Sequence, residues 1–391
     1  MISDFLNYQA RTNPTPLAIE IVKARGSYIW DEKGKKYLDF VAGVSACSLG
    51  HRHPKVVRAI RRQSRKYLHV MVYGEFAQGP AVRLSKRLIK ALPAPLEQVY
   101  LTNSGTEAIE GALKMAKRYT GRQELIGAVN SYHGSTHGSL SLTGYEGIKE
   151  GYGPLLPKVD FIRFNALKDL EKITTKTAAV ILETIQGGAG FIQPDTGYLE
   201  AIKARCEAMG TLLILDEIQP GFGRTGKLFA FMHTPIVPDI LVIGKGMGGG
   251  LPVGAFVSSQ AIMECLTDQP KLGHITTFGG NPLIAAASEA TLNTLLDTPL
   301  MSQIAQKETL FRSLLKHPKI KQINGTGLML APVFESPEIA NQVVPKCLDK
   351  GLILFWLLWE KKAVRISPPL TITEREIRKG CRILLDTLDS L

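Results

Sequence analysis

Two short apolar runs set the pattern of this chain. Leu212-Leu213-Ile214-Leu215 ends in Asp216, and Ile240-Leu241-Val242-Ile243-Gly244 ends against Lys245. Neither run alternates, and both are bounded by Gly, Pro or polar residues. Each therefore reads as a strand buried on both faces of a parallel sheet. Similar strand patterns fall at 98–101, 124–129, 178–183 and 255–257. Helical spacing separates most of them, notably over 106–120 and 198–209. Strands alternating with helices from Pro80 to about Ser258 predict an α/β fold with a mainly parallel sheet covered on both faces.

The pattern changes after Asn281-Pro282. A long helix is predicted from Leu283 past Leu296, then strands at 328–333, 352–358 and 363–366, with helices at 337–350 and 373–391. This reads as a smaller α+β domain. Near the start, 26–40 holds two β-rich runs around the turn Glu32-Lys33-Gly34, which predicts a hairpin. The expected organisation is an N-terminal segment, 1–50, joining the small domain, a large domain at 51–282 and a small domain at 283–391.

Composition narrows the class. The chain has 391 residues, of which 45% are hydrophobic and 21% charged, as in globular enzymes. No apolar run reaches membrane-spanning length, so no membrane partner is expected. The opening Met1-Ile2-Ser3-Asp4-Phe5 carries no basic segment followed by an apolar stretch, which makes the cytoplasm the expected compartment. Cys47, Cys206, Cys265, Cys347 and Cys381 are scattered and odd in number, so reduced thiols are expected, with no disulfide framework and no metal site. The net charge is +12, and its densest run lies between Lys55 and Lys66. Val56, Val57 and Ile60 interleave there at helical spacing, so the basic residues read as a solvated helix face, with no nucleic-acid partner. His51 and His53 read as part of a turn leading into that helix.

Candidate chemistry sits at the strand ends. Asp216 and Lys245 fit either a structural ion pair or a ligand that needs both an acid and an amine. Thr102-Asn103-Ser104-Gly105-Thr106-Glu107 follows a strand and opens a helix. Its free N–H groups and hydroxyls fit a phosphate cup, or an ordinary capped helix start. Gly244-Lys245-Gly246-Met247-Gly248-Gly249 matches a dinucleotide fingerprint, but Leu251-Pro252-Val253 follows where a helix is required. Those glycines serve better to give Lys245 room.

Taken in order, Asn103-Ser104-Gly105-Thr106-Glu107-Ala108, Tyr132-His133-Gly134, Glu183-Thr184-Ile185-Gln186-Gly187, Asp216-Glu217-Ile218-Gln219, Gly221-Phe222-Gly223-Arg224-Thr225-Gly226, Lys245 and Thr277-Phe278-Gly279-Gly280-Asn281-Pro282 resemble the class III pyridoxal-phosphate aminotransferases. That family holds the acetylornithine, ornithine and 4-aminobutyrate enzymes. The resemblance runs from about 13 to 369. It implies a type I fold, pyridoxal 5'-phosphate as cofactor, and a homodimer with shared active sites. It also implies a small-molecule amine donor and a 2-oxo acid acceptor, 2-oxoglutarate or pyruvate.

Roles follow from the resemblance residue by residue. Lys245 matches the lysine that links to the cofactor and then moves a proton. Asp216 matches the acid at the ring nitrogen, and Gln219 the partner of the phenolic oxygen. Tyr132 matches the stacking aromatic, with His133 beside it. Ser104, Gly105 and Thr106 match the phosphate cup, and Thr277 its contributor from the neighbouring subunit. Arg365 resembles the arginine that grips the substrate α-carboxylate, and Glu183 the glutamate that can cover it. The chain departs from the acetylornithine and ornithine pattern after Gly134, where Ser135 replaces an arginine that helps hold a substrate carboxylate. Pro220 and Thr184 are smaller departures. An aminomutase, a decarboxylase or a non-catalytic binding protein on this fold are the alternatives.

Overall fold

The computed structural model describes residues 1–72 and 74–391. Its centre is a seven-stranded sheet. In spatial order the strands are Gln98–Thr102, Gly254–Ser258, Ile240–Gly244, Leu212–Asp216, Thr177–Glu183, Glu124–Ala128 and Val159–Ile162. Gly254–Ser258 runs antiparallel to both neighbours, and every other adjacent pair is parallel. The α/β class expected from the strand and helix pattern is the one observed.

Successive side chains point to opposite faces of a strand. Leu213, Leu215, Leu241 and Ile243 accordingly join the larger core, while Ile214, Ile240 and Val242 join a second cluster on the other face. The helix Gly105–Thr120 covers that second face with Ala108, Ile109, Ala112, Leu113 and Ala116. It stops at Gly121, whose φ of 68° takes the left-handed conformation that glycine adopts without penalty. Val159–Ile162 has no counterpart among the predicted strands. It is a four-residue edge strand whose Asp160 is exposed, so it leaves no apolar run to read.

The predicted hairpin is present, with Tyr28–Asp31 pairing Lys36–Asp39 and Tyr28 opposite Leu38. The largely exposed strand Ile21–Arg25 extends it on one side. On the other side Leu352–Ile353 adds in parallel, so distant parts of the chain share one sheet. Residues 352–358 are therefore not one strand. Leu352–Ile353 joins the N-terminal sheet, while Phe355–Trp356 pairs with Val364–Arg365 in another. The helix Ile304–Leu314 has no counterpart among the predicted elements either. Its inward face is Ile304, Lys307 and Phe311, and the lysine breaks the apolar pattern. Lys307 Nζ is accommodated by donating to the carbonyl of Leu370 at 2.6 Å.

Buried Arg224 joins these parts. Its Nη1 donates to the carbonyls of Leu328 (3.1 Å) and Pro368 (2.5 Å), and its Nη2 to Ser48 Oγ (3.3 Å). The long helix Pro282–Leu296 packs against Pro54–Ser64 and Gly79–Ile89. No helix among the described residues is long and apolar enough to cross a membrane. All five cysteines are unpaired.

The N-terminal segment also meets the last helix, Glu374–Asp389, where Phe40 lies against Gly380. A methyl group at Gly380 would overlap the Phe40 ring, which Phe311 holds edge-on at 5.3 Å. Alanine would raise helix propensity by about 1 kcal/mol, but overpacking a core costs about 1–3 kcal/mol. Gly380→Ala is therefore expected to lower the unfolding free energy by roughly 1 kcal/mol. Phe40→Leu should recover part of that loss in a double-mutant cycle, measured by denaturant melts. Strict additivity would show that the two residues do not collide.

Candidate active site

Strand register decides which side chains meet. Glu183 stands opposite Asp216, and Asp216 opposite Val242. Gly244 and Thr102 both stand opposite Gly254. The strands ending at Thr102, Ala128, Glu183, Asp216 and Gly244 therefore run the same way. They release Ser104, Tyr132, Glu183, Asp216 and Lys245 at one edge of the sheet, where open α/β sheets bind ligands.

The start of helix Gly105–Thr120 forms the cup. Ser104 is its N-cap, with Oγ accepting from the Glu107 N–H at 3.3 Å. Glu107 in turn accepts from the Asn103 backbone N–H at 2.7 Å. A Cβ on Gly105 would lie 2.7 Å from Ile218 Cδ1, so close packing requires glycine there. The Thr106 hydroxyl is already engaged, with Thr136 Oγ1 at 2.8 Å and Ser139 Oγ at 2.7 Å. It orders the 134–139 loop, which leaves backbone N–H groups as the main anion donors of the cup.

Asp216 is buried, with one partner at each oxygen and acceptor capacity to spare. Its Oδ1 accepts from the Ile218 N–H at 2.9 Å, and its Oδ2 lies 2.8 Å from His133 Nδ1. Lys245 follows at a φ of 40°, a left-handed conformation that is strained for a lysine and is stored at functional sites. Burial pushes its ammonium pKa down, against the attraction of Asp216 and Glu183. A Cβ on Gly246 would meet Ser48 Oγ at 2.5 Å, so the residue after the lysine has no room for a side chain.

Glu183 is held from two sides. Its Oε2 accepts from the Tyr132 N–H at 3.0 Å and its Oε1 from the Gly187 N–H at 2.9 Å. Burial pushes its carboxyl up to about 7. Among the described residues it forms no ion pair with Arg365. That guanidinium is buried over the Phe191 ring at 5.7 Å, and its Nε and Nη1 have no hydrogen-bond partner. Burial pushes Arg365 down to about 10. A buried, unpaired guanidinium is costly unless an anion meets it.

Further buried atoms lack partners nearby, namely His133 Nε2 and Gln219 Nε2. Together with the N–H cup, the lysine and the aspartate, these orphaned donors fit a flat, phosphorylated, polar ring such as pyridoxal phosphate. Tyr132 is partly buried, with its hydroxyl 3.2 Å from Ser135 Oγ. Beyond it opens a cavity of about 1200 Å³, lined among others by Tyr132, Ser135, His137 and Arg11. Sequence spacing gives no sign of Arg11, because nothing local ties it to Ser135. Thr277 is exposed and makes no hydrogen bond to the cup among the described residues.

The architecture is that of an aminotransferase. An ornithine aminotransferase from Toxoplasma gondii, in a structure reporting partial occupancy of PLP at the active site, superposes with a TM-score of 0.91 at 31% identity, covering 99% of this chain and 93% of that one. The chain belongs to the class III aminotransferase family, whose model matches residues 8–388. It is 38% identical to an acetylornithine aminotransferase of Caldanaerobacter subterraneus subsp. tengcongensis over 95% of each chain. It is also 38% identical to a putrescine aminotransferase of Pectobacterium atrosepticum, over 92% of this chain and 80% of that one. Family membership implies pyridoxal phosphate as cofactor.

One carboxyl beside the site offers a pH test. Glu217 is fully buried, accepts from the Ala230 (2.9 Å) and Phe231 (2.7 Å) N–H groups, and is pushed up by burial to about 7. A raised folded-state value means that the folded chain keeps a proton the unfolded chain has released. The associated stability is full below the unfolded value of 4.5 and falls as pH rises through 7. Glu217→Gln carries no titrating proton there. Its stability relative to wild type is expected to improve steadily across that window in thermal melts, and a constant difference would refute the assignment.

Proposed function

We propose that this enzyme transfers the terminal amine of an ω-amino acid or diamine to 2-oxoglutarate or pyruvate. The single observation that carries the reading is the buried, unpaired Arg365 guanidinium facing the same site as the strained Lys245. Every 2-oxo acid brings an α-carboxylate to meet such an arginine, and guanidinium suits it bidentately. Bound pyridoxal phosphate supplies an electrophilic aldehyde and an electron-accepting ring. In this reading the N–H groups of Gly105 and Thr106 with Ser104 would hold its phosphate, and Asp216, oriented by His133, would keep the ring nitrogen protonated. Gln219 Nε2, which has no partner in the protein, would donate to the ring oxygen, and Tyr132 would supply the aromatic side chain beside the ring. Lys245 Nζ, its pKa lowered by burial, takes the proton from the substrate carbon and returns it.

Glu183 then has two states. It is pinned by the Tyr132 and Gly187 N–H groups here, and covers Arg365 when a donor presents no carboxylate. The relatives named above are aminotransferases, which favours amino transfer over a mutase or decarboxylase reaction. The five unpaired cysteines fit a reducing compartment such as the cytoplasm. The proposed domain division is the one expected from sequence, with 1–50, 51–282 and 283–391 as its parts.

A homodimer is also part of this reading. Leu68, Met71 and Phe76 stand exposed on one segment, and Leu272, Ile275 and Phe278 on another. The two adjoin, with Phe278 4.7 Å from His69 between ring centroids and Asn281 Nδ2 donating to the Leu68 carbonyl at 3.0 Å. An apolar surface around Thr277 supports a second copy seated there, bringing Thr277 to the partner's phosphate cup.

Arg11 answers the departure at Ser135. It lines the same cavity as Tyr132 and Ser135, and forms no ion pair among the described residues. We assign it the distal carboxylate of a dicarboxylic substrate. An exposed arginine holds an anion less firmly than a buried one, so pyruvate competes better here than in enzymes with an arginine after the His-Gly pair.

Lys245→Ala is expected to lose the borohydride-fixable attachment of cofactor and all turnover, and Asp216→Asn to keep cofactor while slowing proton abstraction sharply. Normal turnover with fixation at another lysine would overturn the first role, and an unchanged rate the second. Losing a charge-assisted hydrogen bond costs about 1.5–3 kcal/mol, roughly ten- to a hundredfold. Arg365→Ala should impose that loss on every oxo acid. Arg11→Ala should weaken 2-oxoglutarate alone, and by less than Arg365→Ala because Arg11 is exposed, while Ser135→Arg should raise 2-oxoglutarate over pyruvate. Steady-state kinetics with a panel of amines and both acceptors decide this. Equal effects of Arg11→Ala on both acceptors would remove Arg11 from the site.

A further inference from the structure

A second feature lies outside the site. Six arginines line one depression of about 610 Å³, with Pro54 and Val57 as its apolar floor and no carboxylate in its lining. They come from three separate stretches. Arg25 ends the strand Ile21–Arg25, Arg52 sits in the turn before the helix, and Arg58, Arg61, Arg62 and Arg65 lie on or just beyond the helix Pro54–Ser64. The helical four recur at three- and four-residue spacing, giving one face about 10 Å long.

The backbone holds this arrangement in place. Gly26 and His51 exchange two hydrogen bonds of 2.9 Å each, which fixes Arg25 beside Arg52. His51 is itself anchored to Asp39 Oδ2 at 2.7 Å. Arg52 has a φ of 53°, a strained conformation for a side-chain-bearing residue.

The charges are also left open. Among the described residues no side chain of the six makes an ion pair or hydrogen bond. Some other surface arginines are paired, as in Arg83 with Glu289, Arg163 with Asp169 and Arg312 with Glu308, whereas these six unpaired ones share one depression. Like charges three and four residues apart on a helix repel one another. An occupant of high negative charge density would relieve that repulsion, and planar guanidinium forks match phosphate oxygens. No aromatic side chain lines the depression to stack on a base, and the charges converge on one hollow, not along a track.

We propose that this depression is a binding site for a short polyphosphate chain, distinct from the cofactor's phosphate cup. Sequence spacing alone reads the basic helix as a solvated face; the convergence of Arg25 and Arg52 on it is what the fold adds.

The test is calorimetric titration of inorganic tripolyphosphate into the cofactor-loaded protein at physiological salt. One saturable site per chain is expected. Arg58→Gln/Arg61→Gln and, separately, Arg62→Gln/Arg65→Gln should each weaken it at least about tenfold. Arg163→Gln, which removes a charge elsewhere, should change it less than about twofold. Absence of saturation up to millimolar tripolyphosphate overturns the proposal. So does an equal loss in Arg163→Gln, which would mean attraction by net charge only. Tighter binding of duplex DNA, lost in the same variants, would also overturn it by making the depression a nucleic-acid surface. Two separate double variants keep the result readable if one of them folds poorly.

Discussion

Parallel register at one edge of the sheet is the constraint on which the rest of this molecule depends. The strands that carry Glu183, Asp216 and Lys245 to that edge are buried throughout, so their side chains are fixed by packing before any polar contact is made. The register then sets Glu183 against Asp216 and brings Gly244 level with Thr102 through Gly254. Because side chains alternate with a period of two, slipping one strand by a residue would turn its terminal charge into the core. The acid, the lysine and the N–H cup are thus positioned by the hydrophobic interior.

Charge at that edge is held in an unbalanced state. Asp216 has its partners within the protein, while Arg365 has none for Nε and Nη1, and Glu183 is held by backbone N–H groups and not by the arginine. Burial drives Glu183 up and Lys245 and Arg365 down, in each case toward the neutral form. Such a site gains most from ligands that carry the missing charges, which is how binding selectivity arises without a change in fold.

Much of this was legible in the sequence because the informative strands are uniformly apolar. Leu212–Asp216 and the helix Tyr198–Met209 have the predicted bounds, and the end residues of the strands carry the candidate chemistry. What stayed hidden broke a pattern for a local reason. Lys307 occupies an inward helical position because the Leu370 carbonyl receives it, and a lysine there hides the apolar face of its helix. The Thr106 hydroxyl looks like a free donor in sequence but is consumed by Thr136 and Ser139. Arg11 and the meeting of Arg25 with Arg52 depend on tertiary approach, and no spacing rule encodes either.

The split of residues 352–358 between two sheets bears on how such an enzyme can change over evolution. Leu352–Ile353 is locked in parallel to Lys36–Asp39, and two residues later Phe355–Trp356 begins the pairing that presents Arg365. There is no slack between the two anchors. An insertion or deletion of one residue there would rotate the arginine's partner strand onto its other face. Diversification of this part of the site is thereby confined to substitution.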